Sequence, residues 1–232
     1  TGVVEIPATD YAFADCRTTP FPGTPDATRL CIKGGYNPAL LYELIYTAKD
    51  PFVLGVGNAA MRDVISFFRY EAKDDAGTAN PMAGDIQRIY TISRSQPARM
   101  LNDFRLYGFN QAENGKKVFD ALMQWVGAAD GMNMNYRFSN PGTTQRNRQD
   151  QLYPEAFFPF ANESTTDHIS GVTAGRYDKC TQSNTCPLAM EVYSSNEYWV
   201  KAASLFHTNT QGTADLPGHP LARRPALVEG AR

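Results

Sequence analysis

The stretch Ile86-Gln87-Arg88-Ile89-Tyr90-Thr91-Ile92-Ser93-Arg94-Ser95-Gln96-Pro97-Ala98-Arg99-Met100-Leu101 decides the fold. Its first half is β-branched and aromatic and reads as a strand over 86–92. Its second half opens a helix over 97–107, with Met100, Leu101 and Phe104 turned inward and Arg99, Asn102 and Arg105 outward. Pro97 is tolerated in the first turn, where no N–H partner is needed, and Gly108 is a natural stop. Strand passes into helix through Ser93-Arg94-Ser95-Gln96 alone. A serine on so sharp a turn is pushed clear of the sheet, at a helix N-terminus whose dipole favours negative charge. The next N–H, that of Gln96, would point at a developing oxyanion. The plainer reading of Ser95 is an ordinary helix N-cap.

Outward from this turn the pattern alternates. Residues 41–46 (Leu-Tyr-Glu-Leu-Ile-Tyr) read as a buried strand. Residues 58–71 read as a helix, with Met61, Val64, Ile65 and Phe68 on one face. Residues 118–126 fit a strand or a helix, and the run into Gly127 favours a strand ending at a tight turn; a strand over 190–193 and a helix over 197–206 follow. Residues 1–40 read as irregular, with a short edge strand at 3–6. Residues 131–187 are rich in Asn, Gln, Pro, Thr and Gly with interleaved aromatics, and read as an irregular lid or set of binding loops. Alternation of strand and helix argues an α/β fold with a mostly parallel sheet, and a chain of 232 residues is read as a single domain, 1–232. Chemistry in such sheets lies at the carboxyl ends of the strands.

A serine nucleophile needs an acid and a histidine, expected in that chain order on this type of sheet. Glu197, after the strand at 190–193, fits the acid, and Asp130 is its rival. The plainer reading of Glu197 is a carboxylate at a helix N-terminus. His219, in Pro217-Gly218-His219-Pro220, lies on a loop and is the candidate base, with a solvent-exposed loop histidine as the alternative. His207 lies ten residues beyond Glu197, about 15 Å along an unbroken helix, too far for a direct contact. His168 precedes the acid and fits least well.

Composition narrows the classes. The 22 Lys+Arg against 24 Asp+Glu leave a net charge of −2, which argues against a nucleic-acid surface, since that would need a basic stripe. No apolar run approaches the roughly 18 residues of a membrane helix. Thr1-Gly2-Val3-Val4-Glu5 lacks the basic and apolar regions of a signal peptide. The three histidines are scattered, without an H-x-x-x-H, and no metal or other cofactor is implied. Cys16 and Cys31 flank a Pro/Gly-rich loop, and Cys180 and Cys186 flank five polar residues. Two local disulfides, and with them an oxidising compartment, are expected; four buried thiols are the alternative.

The residues also carry a resemblance. Leu41 to Pro51, Val56-Gly57-Asn58-Ala59-Ala60-Met61-Arg62-Asp63, Ser95-Gln96 with Arg99, Gly108-Phe109-Asn110, Val118-Phe119-Asp120, Phe158-Pro159-Phe160, Cys186-Pro187, Glu197-Tyr198-Trp199 and His207-Thr208 stand in the order of a bacterial family described as "alpha/beta hydrolase domain". Cys16 and Cys31 around Phe21-Pro22-Gly23 also look like that family, whose members are often exported, which implies a secreted or periplasmic protein. The resemblance implies an α/β-hydrolase sheet and serine-hydrolase chemistry on carboxylic esters. The aromatic insert points to hydrophobic or aromatic ones. Ser95 falls on the serine of the family's G-x-S-Q-S-G-R elbow, Arg99 on its arginine, and Glu197 on the acid of its S-S-x-E-Y-W block.

Departures from the pattern carry their own expectations. Ser93 stands where the elbow glycine belongs, so a Cβ is expected to crowd the turn, and Pro97-Ala98 replace Ser-Gly. Family members extend further at both ends. The chain stops about where their catalytic histidine follows a last strand, so it is read as the middle of a family protein, with an incomplete sheet. His219 would then have to substitute as base. The alternative function is a catalytically impaired hydrolase fold that acts by binding. Exposed sheet edges would favour self-association.

Overall fold

A computed structural model describes residues 2–47, 49–50, 52–129, 131–132, 134, 156–223 and 226–227. The chain divides into two compact units, Thr1–Asp50 and Pro51–Arg232.

In the first unit a 3-10 turn at Ala8–Asp10 leads into four two-residue strands, β1 (Tyr11–Ala12), β2 (Ala14–Asp15), β3 (Thr24–Pro25) and β4 (Cys31–Ile32). β1 pairs with β4 and β2 with β3, both antiparallel. The expected disulfide joins Cys16 to Cys31. Gly23 makes this loop possible: its φ is +80°, and a Cβ there would lie 2.7 Å from both the Asp15 carbonyl oxygen and the Cys16 sulfur. The edge strand expected at 3–6 does not form, and pairing begins only at Tyr11. The strand expected at 41–46 is also absent. Its residues are irregular, and Leu41, Leu44, Ile45 and Tyr46 are exposed. A short apolar run becomes a strand only when another strand receives its N–H and C=O groups, and among the described residues none does.

The second unit contains α1 (Gly57–Tyr70), β5 (Tyr90–Arg94), α2 (Gln96–Leu106), β6 (Ala121–Trp125), β7 (Thr165–Thr166), β8 (Thr173–Ala174), α3 (Asp178–Ser183), β9 (Leu188–Ser194), α4 (Ser195–Val200), β10 (Ala222–Arg223) and β11 (Ala226–Leu227). The strands β10, β9, β6 and β5 lie side by side in that order, all parallel, and β11 also pairs with β9. The α/β reading with a parallel sheet therefore holds. Register runs straight across: Thr91 opposite Leu122, Leu122 opposite Ala189, Ala189 opposite Ala222.

One face of the sheet is buried. Leu122 and Ala189 join Leu101 and Phe104 of α2, Val118, Phe119 and Tyr177 in the main core, with Met61 and Ile65 of α1 packed against it. Val64, expected on the same helix face, is exposed instead. The other face is open: Tyr90, Ile92, Leu188 and Met190 are 63%, 77%, 56% and 43% exposed.

Asp120 ties the amino ends of the strands to α1. It accepts from the Ile89 N–H at 2.8 Å and pairs with Arg69 at 2.9 Å. Burial opposes ionisation of this carboxyl, but the Ile89 amide and the Arg69 guanidinium outweigh it and hold its pKa below the usual carboxylate range. A depressed carboxylate stabilises the fold above its unfolded pKa, and that stabilisation is lost as pH falls through the folded value. Asp120→Ala is therefore expected to cost about 2 kcal/mol at neutral pH. The difference should shrink when urea titrations are repeated at progressively lower pH below about 4.

The described part of the segment read as an irregular insert carries regular elements. Residues 133 and 135–155 lie outside the described residues, with Tyr136, Phe138 and Tyr153 among them. From 156 onward the chain forms the antiparallel β7–β8 pair and then α3. Asn162, Arg176 and Tyr177 from this part are buried. The second expected disulfide, Cys180–Cys186, closes α3 back onto the start of β9. Both cysteines are buried. Closure of so short a loop is worth about 2 kcal/mol in the chain-entropy model. The Cys180→Ala/Cys186→Ala variant should lose that much in urea titration, and a reducing agent should bring the native protein toward the same midpoint.

Candidate active site

At Ser95 the strand β5 turns into α2 with φ 62° and ψ −127°. That backbone region is costly for a residue with a Cβ, about 1–3 kcal/mol, and persists only where surrounding structure enforces it. Two bonds enforce it here. The Ser95 N–H donates to the Trp125 carbonyl at the end of β6, at 2.8 Å, and the Ser95 carbonyl accepts from the Ala98 N–H at 2.9 Å. An ordinary N-cap would lend its Oγ to an N–H of the first helical turn. Ser95 makes no such bond, and its side chain is exposed. The hydroxyl thus stands clear of the sheet, as a nucleophile elbow requires.

The neighbouring loop is strained as well. Val126 and Ala128, which follow β6, have φ of 51° and 49°. Between them Gly127 lies against the first turn of α2, where an added Cβ would meet the Ala98 Cβ at 2.6 Å. The tight contact that small residues usually allow at an elbow is supplied here from the β6 side. At Ser93, where the elbow glycine belongs, the Oγ is buried and has no hydrogen-bond partner among the described residues, a cost of about 1–3 kcal/mol. Gln96, the candidate oxyanion donor, opens α2 with its side chain exposed.

Glu197 lies on α4, directly after β9, at the same carboxyl end of the sheet as Ser95. It is 8% exposed. Its carboxylate accepts from the Ser194 N–H at 3.0 Å and from the Ser194 hydroxyl at 3.2 Å, while the Ser194 Oγ accepts from the Glu197 N–H at 3.3 Å. This is a reciprocal capping box, the helix-end role that the sequence offered as the plainer one. The rival acid, Asp130, lies outside the described residues.

The histidines separate clearly. His219 precedes β10, whose Ala222 sits opposite Ala189 near the amino end of β9. Its ring packs edge-on against Tyr177 at 4.5 Å, and the Tyr177 hydroxyl donates to the Pro187 carbonyl just before β9. Ser95 lies four residues beyond Thr91, on the order of 13 Å up the strands from the Ala189–Ala222 row. His219 and Ser95 therefore lie toward opposite ends of the sheet. His168 is exposed beside the β7–β8 turn, with its Nδ1 2.9 Å from the Thr210 hydroxyl. His207 is at the carboxyl end. The helix expected over 197–206 breaks at Ala202, φ 56°, into α4 and a 3-10 turn at Ala203–Phe206. That break folds the chain back, so that the His207 Nε2 meets the hydroxyl of Tyr193, near the end of β9.

A profile of the family described as "alpha/beta hydrolase domain" matches residues 28–216. The chain belongs to the alpha/beta hydrolase domain family. No curated protein and no solved structure matches it. The family match runs from the first unit through the elbow to the segment after His207, so the strand-turn-helix at Ser95 sits inside it. Among the described residues no helix is long and apolar enough to cross a membrane, and no group of three or more His, Cys, Asp or Glu side chains is placed to hold a metal ion.

What sequence reading missed lies just beneath the elbow. Asn102 and Arg105, expected outside, are 1% and 0% exposed. Arg105 pairs with Glu191 of β9 at 2.8 Å and donates to Asn102 at 2.8 Å and to Asn162 at 3.0 Å. Gln124 of β6 donates to Asn102 at 2.8 Å. The signal was present in the strands. Gln124 interrupts Ala121-Leu122-Met123, Glu191 interrupts Leu188-Ala189-Met190, and the two are directly opposite in register, with Ser93 on the other side of Gln124.

Proposed function

We propose that this alpha/beta hydrolase domain is a serine hydrolase of carboxylic esters, acting through an acyl-enzyme on Ser95. The observation that carries the reading is the elbow: an exposed serine, strained at φ 62°, on the strand-to-helix turn at the carboxyl end of a parallel sheet. In the reading, the Ser95 Oγ attacks the ester carbonyl and the Gln96 N–H stabilises the oxyanion. Glu197 orients the base. His207, the histidine at that end of the sheet, is the base to test first. The aromatic-rich 131–187 segment favours hydrophobic or aromatic acyl or alcohol groups. The two disulfides support an exported, oxidising setting, secreted or periplasmic. The test is hydrolysis of a short-chain p-nitrophenyl ester by the wild type, His207→Ala and His219→Ala. Loss of activity in the first variant alone supports the reading. Loss in the second alone removes His207 from it.

A second reading has its own observation. The carboxylate of Glu197 is engaged in its helix cap, and His219 lies at the far end of the sheet. A hydrolase fold that binds esters without cleaving them would show saturable binding of an aromatic ester with no product.

The open sheet face and the edge of β5, which pairs with no further strand among the described residues, also favour association between copies. Light scattering after size exclusion is expected to give a dimer or larger. A monodisperse monomer would count against that.

A further inference from the structure

We infer that Gln124 is a positioning residue for the Ser95 elbow, an assignment that rests on the serine-hydrolase reading above. Five polar side chains, Asn102, Arg105, Gln124, Asn162 and Glu191, are each at least nine-tenths buried and joined in one network. Such a network is a poor source of stability, because desolvating an ion pair costs about as much as its attraction returns. Its endpoints suggest another use. The Gln124 Nε2 donates to the carbonyl of Ala98, in the first turn of α2, at 2.5 Å. The Asn102 Nδ2 donates to the carbonyl of Ala128, in the strained loop after β6, at 3.2 Å. Both loops that crowd around Ser95 are therefore anchored from below by the same buried group of side chains.

Gln124 is the hinge of this arrangement. Its amide oxygen accepts from Arg105, while its nitrogen reaches Ala98. Ala98 and Arg99 in turn donate their N–H groups to the Ser95 carbonyl, at 2.9 and 3.3 Å. The buried Arg105–Glu191 pair fixes Gln124, Gln124 fixes the first turn of α2, and that turn holds Ser95 in a backbone conformation it would otherwise leave. Displacement of a nucleophile by about 1 Å costs on the order of a hundredfold in rate. The network thus acts on the reaction without touching substrate.

Two variants isolate the link. Gln124→Met removes its bonds to Arg105, Ala98 and Asn102, and Gln124→Glu keeps an acceptor for Arg105 while removing the donor to Ala98 and Asn102. Amide hydrogen exchange and ester kinetics are read on each. The expected result is exchange at least about tenfold faster at Ala98 and Arg99, with β9 amides unchanged. It is accompanied by a kcat lower by roughly ten- to a hundredfold at unaltered KM. If Gln124→Met fails to fold, Gln124→Glu decides. Unchanged protection at Ala98 and Arg99 overturns the assignment. So does a uniform loss of protection across α2, β6 and β9, which would make Gln124 a stability element only. If the wild type hydrolyses no ester, the hydrolase reading fails by itself. The exchange pattern then still decides whether Gln124 holds the turn.

Discussion

Alanine at position 95 is expected to abolish ester hydrolysis above the buffer blank while leaving the fold intact. Loss of the attacking serine in a working triad costs about six orders of magnitude in kcat, leaving only what binding and the oxyanion donors supply. The side chain of Ser95 is exposed and caps no helical N–H, so the alanine removes no helix cap. Thermal unfolding of the variant should match that of the wild type. A falling rate together with a falling midpoint would instead mean that the hydroxyl serves the fold. An equal rate in both proteins would mean that any hydrolysis arises elsewhere.

The second large effect concerns stability. Arg105→Met leaves Glu191 buried at 2% exposure without its cation. Breaking one side of a buried ion pair typically costs about 3–5 kcal/mol. In a unit of this size that lowers the melting midpoint by on the order of 10 °C. The double variant Arg105→Met/Glu191→Leu should recover most of the loss, because an apolar pair avoids desolvating two charges. Failure to recover would place the stabilisation in the hydrogen bonds to Asn102, Asn162 and Gln124 rather than in the charge pair. Arg105 keeps its charge despite burial: burial alone would lower its pKa, but the adjacent Glu191 carboxylate more than compensates.

The elements legible in the sequence are those whose pattern is local. Helix α1 begins and ends within a residue of the 58–71 expectation, and α2 within a residue of 97–107, since helical periodicity and stop signals lie inside the segments themselves. Strand β6 falls inside 118–126, a run whose own pattern fits strand or helix and in which only the turn at Gly127 favours the strand. The strand expected over 86–92 forms instead at Tyr90–Arg94, because its register is set by β6, with Tyr90 opposite Ala121. No local rule carries that. The 41–46 run looks like a strand by composition, yet strand formation is a pairing event and no described strand pairs with it. The break at Ala202 is likewise invisible, since alanine is a good helix former and the packing of Ala203 and Phe206 with Tyr193 is a tertiary contact.

Ser95 and Glu197 could be placed at one end of the sheet from the order of elements alone. The ends occupied by His207 and His219 could not, because they depend on where the chain doubles back after α4 and where β10 joins β9. The buried polar group was hidden by a sound rule, that Arg and Asn on a helix face water. The exception is visible only when Gln124 and Glu191 are set side by side in register.

The most direct measurement is intact-protein mass spectrometry after incubation with a fluorophosphonate, followed by peptide mapping. An activated serine attacks the phosphorus, fluoride leaves, and the phosphonyl group remains on Oγ. The expected result is one adduct per chain, on the peptide containing Ser95, and none in the Ser95→Ala variant. An unlabelled protein, or an adduct on another residue with Ser95 free, would contradict the assignment of Ser95 as the nucleophile.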